Sequence, residues 1–190
     1  MKIQNVKKLC NRQHCIRIVE KILPGEVRQY IGDGNALYFT GGLPPVDVDS
    51  VCAGFDIPDK KRHLFDIDTV NGPNQLSFAD SIKTDTMLEK DGVHLLIDGV
   101  DYIPLYTSKG IRILDAAYLA PLDDAAEPVT LWERFALDGK MYIVAMDGMF
   151  LAAILPAHPV PEVVTQSMRS MLEAIPPVEL AEGCDCDDSR

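Results

Sequence analysis

Three side chains near the N-terminus have the type and spacing to hold a metal ion. Cys10, His14 and Cys15 lie close in sequence, and thiolate and imidazole are soft ligands suited to zinc. A structural zinc site needs about four such ligands, and no second pair stands at the usual spacing. The plainer reading makes Cys10 and Cys15 small buried apolar residues on either side of a turn. The run Cys184-Asp185-Cys186-Asp187-Asp188 could also chelate a metal, but its acidity favours a disordered acidic tail over residues 178–190.

Nucleophilic catalysis requires a Ser, Cys or Thr within hydrogen-bond reach of a base, itself oriented by a third group. The four histidines are scattered: His14, His63 in the basic run KKRH, His94 in the strand-like VHLLI, and His158 in a proline-rich corner. Neither a G-x-S-x-G elbow nor an H-E-x-x-H helix is present. Gly32-Asp33-Gly34 and Gly41-Gly42 are isolated and form neither a dinucleotide fingerprint nor a P-loop. The carboxylates Asp47, Asp49, Asp66 and Asp68 could serve as acid, base or cation ligand, but spacing alone does not pair them. No catalytic residue and no cofactor is expected.

The chain has 190 residues, 47% hydrophobic and 25% charged, enough for one folded domain with a real core. The net charge of −11 argues against an overall basic surface for nucleic acid. Cations are nonetheless concentrated between Lys2 and Arg28, and acids between Glu179 and Asp188. No apolar run approaches the roughly 18 residues that span a bilayer, and MKIQNVKKLC lacks the apolar stretch of a secretory signal. Five cysteines, an odd number, then read as reduced thiols in a cytoplasm.

The elements follow from turn chemistry. Asp-Gly pairs at 33–34, 91–92, 98–99, 138–139 and 147–148 punctuate the chain, and Asp-Gly favours tight turns because glycine accepts positive φ. The runs between them predict strands at 15–22, 27–31, 36–40, 93–97, 102–107, 111–114, 129–136, 141–145 and 149–155. A helix is expected over 5–11, capped by Asn5, and a second from Asp47, with Val48, Val51, Cys52 and Phe55 on one face and Pro58 as its stop. A third spans 116–122 after Asp115, and a fourth 161–175, where Val164, Met168, Met171, Leu172 and Ile175 form a stripe. Residues 58–90 read as a connecting segment with one strand or short helix. In VTLWERF, alternation places Leu131, Glu133 and Phe135 on one face and Trp132 and Arg134 on the other. Trp132 could anchor a partner or pack under the helix from Pro161.

The chain also resembles itself. At an offset of 112, Tyr30, Ile31, Leu43, Pro44, Val48 and Val51 fall on Tyr142, Ile143, Leu155, Pro156, Val160 and Val163. Six identities exceed the one or two expected by chance at roughly average residue usage. Each copy reads short strand, short helix, three strands, Leu-Pro stop, then apolar-faced helix, starting at Lys2 and at Ile111. The expected fold is α+β: two pseudo-repeated β-α-β-β-β units, about 1–57 and 111–175, with mainly antiparallel sheet, forming one domain over 1–177.

That unit, occurring twice, resembles the half-domains of the DNA sliding clamp. IRILDAAYLAPLDD (111–124) is similar to a clamp half-domain opening, MYIVAMDGMFLAAILPA (141–157) to its closing hairpin, and IQNVKKLC followed by CIRIVEKI fits the same scheme. The resemblance covers about half the chain, and the chain has room for about one of the two or three domains of a clamp. It implies that Lys7, Lys8 and Arg12 on the first helix could meet DNA phosphates. The matching helix at 116–122 has no cation. The short chain without enzyme motifs is also similar to uncharacterised proteins of bacterial prophages.

Together these readings favour a non-enzymatic binding or assembly protein with clamp-like architecture, working through a protein partner or self-association and not through a membrane. Two alternatives stand beside it: a small hydrolase or metal-dependent enzyme with a site assembled from scattered residues, and an acidic protein that imitates DNA.

Overall fold

A computed structural model describes residues 1–23, 25–72, 75–89, 92–123, 125, 128–162, 164–166 and 170. The chain divides into two compact units, Met1–Pro159 and Val160–Arg190. The second unit lies mostly outside the described residues, including the expected tail and most of the stripe over 161–175. Its described part opens as a helical turn, with the Val164 and Thr165 amides donating to Pro161 O.

The first unit is α+β, mostly strand and mainly antiparallel. Its elements are α1 (Ile3–Gln13), β1 (Cys15–Leu23), β2 (Glu26–Gly32), β3 (Leu37–Phe39), α2 (Val48–Gly54), α3 (Asp59–Arg62), β4 (Asp66–Asn71), β5 (Thr86–Leu88), β6 (Leu95–Ile97), β7 (Val100–Thr107), β8 (Gly110–Asp115), β9 (Thr130–Phe135), β10 (Met141–Asp147), β11 (Phe150–Leu155) and β12 (His158–Pro159). Eight strands form one sheet in the order β4-β1-β2-β3-β11-β10-β9-β5, and four form another, β12-β8-β7-β6. Every pairing is antiparallel except β1 with β4.

Side chains alternate across the large sheet and feed two cores. On one face Ile16, Ile18, Ile31, Tyr38, Leu131, Ile143 and Leu155 join α1 (Val6, Leu9, Cys10), α2 (Val51, Cys52) and the small sheet (Ile103, Leu105, Leu114). On the other, Val19, Tyr30, Tyr142, Val144 and Leu151 pack against Phe78, with Leu76, Phe39 and Trp132 partly buried around them. Phe78 and Leu76 belong to a stretch without regular structure, which two arginines bind to the sheet. Arg134 reaches Ser77 O, Ala79 O and Asp85, and Arg28 reaches Asp80.

Several sequence expectations are corrected. The short strand expected from Lys2 is absent among the described residues, because Lys2 is already the N-cap of α1. Asn5 does not cap α1 but lies within it, donating from Nδ2 to Ala120 O. Residues 116–122 form two 3-10 turns, Ala116–Tyr118 and Ala120–Leu122, with Pro121 inside the second. Residues 58–90 hold more than expected, namely α3, β4 and β5. Other expectations hold closely: Asp47 caps α2 through a reciprocal bond with Ser50, and Asp98-Gly99, both at positive φ, form the two-residue turn of the β6–β7 hairpin.

Candidate functional site

Strand β3 is only three residues long, and its early end makes the notable surface of the first unit. After Phe39 the chain turns away. The Thr40 amide still donates to Gln29 O, Leu43 N returns to Thr40 O, and Gly42 takes φ +82, a conformation that favours glycine. Gly41 is pressed against the Phe39 ring so closely that a Cβ there would lie 2.4 Å from its Cε1.

Two grooves open on either side of this Phe39–Gly41 contact. One, of about 330 Å³, is lined by Met1, Leu122, Phe150, Leu151 and Ala152, with Asp147 at its edge. The other, of about 280 Å³, is lined by Glu20, Val27, Gln29, Thr40, Leu43 and Pro45. Large apolar side chains extend both: Phe150 (61% exposed) in the first, and Val27 (65%) with its cross-strand neighbour Ile22 (79%) at the second. Scattered exposed apolar residues are ordinary, whereas a contiguous set is a mark of an interaction surface.

The cations expected to meet phosphate are mostly engaged within the protein. Arg12 Nη1 donates to Asp115 Oδ2 at 2.9 Å, and its guanidinium lies over the Tyr118 ring. Lys7 Nζ is 2.5 Å from Asp56 Oδ2. Lys8 is exposed and donates to Asn5 Oδ1 at 3.2 Å. Trp132 is half-buried against the second core, its Nε1 donating to Thr130 Oγ1.

The three metal-ligand candidates sit in different surroundings. Cys10 is fully buried and donates to Gly32 O; burial, then the nearby Asp33 and Cys15, push its thiol up to about 12. His14 is exposed, in the left-handed region at φ 50, with its ring against Phe65. Cys15 is half-buried, and burial raises its thiol too. Among the described residues, no three of His, Cys, Asp and Glu form a cluster able to hold a metal ion. His94 lies just before β6 rather than within it, its Nδ1 2.8 Å from Asp101. No described helix is long and apolar enough to cross a membrane.

Compared with known protein families, curated proteins and solved structures, the chain matches none. The grooves therefore have to be read on their own chemistry. They hold apolar walls, glycine backbone and carboxylates, and the Gln29 amide beside the second is occupied in structure. Gln29 Nε2 donates to Glu20 and to Val46 O, while Oε1 accepts from Val46 N. Such a surface can take up apolar side chains of another molecule. Little in the residue pattern marks it, because its walls come from β1, β2, β11 and the 40–45 turn at once. The only local signal was Gly41-Gly42 directly after a short strand.

Proposed function

We propose that this chain is a non-enzymatic binding or assembly protein of clamp-like architecture that docks protein segments. The observation that carries the docking reading is the pair of apolar grooves flanking Phe39 and Gly41. Ordered, half-apolar concavities with few polar groups are the usual form of a recognition site.

The clamp-like part rests on the order of the large sheet. Read outward from the central β3–β11 pair, it runs β3-β2-β1 one way and β11-β10-β9 the other, with β4 and β5, both from the segment between the repeats, added at the two ends. Tyr30 and Tyr142, matched in sequence, both face the second core, and Ile31 and Ile143 both face the first. Duplication of one α+β unit accounts for both facts over β1–β3 and β9–β11. Among the described residues the outer edges of β4, β5 and β6 have no partner strand. Met87 on β5 and Leu96 on β6 are exposed, and open edges carrying apolar residues invite pairing with another chain.

Association with DNA or a mobile element is the further extension of the resemblance, and the engagement of Arg12 and Lys7 weighs against α1 as its contact. Solution mass of the full chain by light scattering tests the assembly reading. A defined dimer or trimer supports it and justifies measuring retention on circular DNA. A strict monomer at all concentrations removes the self-assembled ring and leaves a docking protein for a different partner.

A further inference from the structure

The groove beside Glu20 has a chemistry of its own. Alternation along the β1–β2 hairpin sends its charges to opposite faces. Lys21 lies over the Phe78 ring and Arg28 over the Phe39 ring, Arg28 also binding Asp80 and Glu26, all toward the second core. Glu20, Ile22, Val27 and Gln29 face the other way, as the cross-strand pairs Glu20–Gln29 and Ile22–Val27 require.

The groove is therefore lined by one charged residue, Glu20, among Val27, Phe39, Leu43, Pro45 and the glycine turn, with no cation among its lining residues. Glu20 is held in place: Gln29 donates to its Oε1 at 3.1 Å, and Gln29 is itself fixed by two 2.8 Å bonds to the Val46 backbone. An exposed carboxylate set on a rigid support beside bare apolar surface complements one kind of partner.

We infer that this groove selects a peptide segment in which an apolar side chain stands next to a lysine or arginine. The apolar group enters between Val27 and Leu43, and the cation meets Glu20. This inference rests on the docking reading and narrows it to a partner class.

The test titrates three blocked leucine-containing peptides, flanked by lysine, serine or glutamate, into the isotope-labelled full chain, following the amides of Val27 and Thr40–Leu43. At low ionic strength the lysine-flanked peptide is expected to bind about threefold tighter than the serine-flanked one, the size of one exposed ion pair. Glu20→Gln should remove that difference and leave the serine-flanked peptide unchanged. Asp68→Asn, on the β4 edge, should preserve the difference, separating Glu20 from the general field of an acidic chain. Equal binding of the lysine and serine peptides to the native protein, or a lysine preference that survives Glu20→Gln, overturns the inference and leaves docking standing. If none of the three moves these amides, the inference and docking at this groove fail together.

Discussion

Arg134 and Asp85 form a paired fork inside the first unit. Arg134 Nε donates to Asp85 Oδ1 at 2.8 Å and Nη2 to Oδ2 at 2.5 Å, while the Arg134 side chain is fully buried. Two parallel bonds to one carboxylate fix direction as well as distance. The remaining Nη1 reaches Ser77 O and Ala79 O, so one guanidinium from β9 holds both ends of the stretch that carries Phe78 onto the second core. Removing Asp85 alone leaves a buried, uncompensated cation, which costs about 3–5 kcal/mol. Asp85→Ala should lower the urea midpoint by a corresponding amount. The double change Arg134→Met with Asp85→Leu should recover part of it, limited by the orphaned carbonyls of Ser77 and Ala79. If Asp85→Ala is no less stable than the native protein, this fork is not what holds the stretch.

Asp80 is the second fastening of that stretch and gives stability a pH dependence. Arg28 donates to both of its oxygens, at 2.5 and 2.8 Å, and Leu151 N donates at 3.0 Å. The hydrogen bonds from Arg28 hold the Asp80 carboxyl below its ordinary value. A carboxyl depressed in the folded state binds protons more readily when unfolded. Its contribution is therefore present above the unfolded value of about 4 and is lost as pH falls through the lower folded value. Asp80→Asn should reduce stability at neutral pH and flatten the acid limb of the stability curve. Urea unfolding from about pH 7 down to about pH 2 checks both.

Much of this architecture was legible in the residues, and what was missed has physical causes. Asp98-Gly99 specified a two-residue hairpin because both positions take positive φ. The spacing of Val48, Val51, Cys52 and Phe55 specified the helix from Asp47, and its start is secured because the Asp47 and Ser50 side chains satisfy each other's backbone amides. β4 was missed because a parallel neighbour leaves no hairpin turn as a signal; it returns to β1 through α2 and α3. β5 is three residues long, too short for alternation to register. The role of Arg134 was hidden because a charged residue in a strand reads as solvent-facing until a carboxylate 49 positions away and carbonyls 55 and 57 positions away are placed against it. The grooves were invisible for the same reason, being assembled across elements.

The metal-dependent alternative makes an opposite forecast about Cys10. A thiolate is the metal ligand and the nucleophile, and burial pushes this thiol up to about 12 while it donates to Gly32 O. In the native protein Cys10 should resist alkylation at pH 8 and react only on unfolding, as peptide mapping after a timed pulse would show. Added zinc should not raise the melting temperature. Stoichiometric zinc in the purified protein, lost in Cys10→Ala or His14→Ala, would reverse the assignment and put a metal centre at the start of β1.

The glycine pair after β3 separates groove shape from backbone strain. At Gly41 a Cβ would sit 2.4 Å from Phe39 Cε1, but Gly41 does not adopt positive φ, so alanine meets crowding without backbone conflict. The atom in the way is the far end of a half-buried ring, which can swing. Gly42 is the converse: nothing lies within 4 Å of its Cβ position, but φ is +82, a conformation that disfavours alanine by roughly 1–2 kcal/mol. Gly41→Ala should therefore fold with little loss of stability yet displace Phe39, the wall shared by both grooves, and weaken peptide docking at each. Gly42→Ala should lower the melting temperature while leaving the Phe39 ring in place. Thermal unfolding and the aromatic proton shifts of Phe39 and its neighbour Tyr30, 5.5 Å away between ring centres, distinguish the two. Unchanged docking in Gly41→Ala, with the Phe39 shifts moved, would mean that the grooves are not the recognition surface.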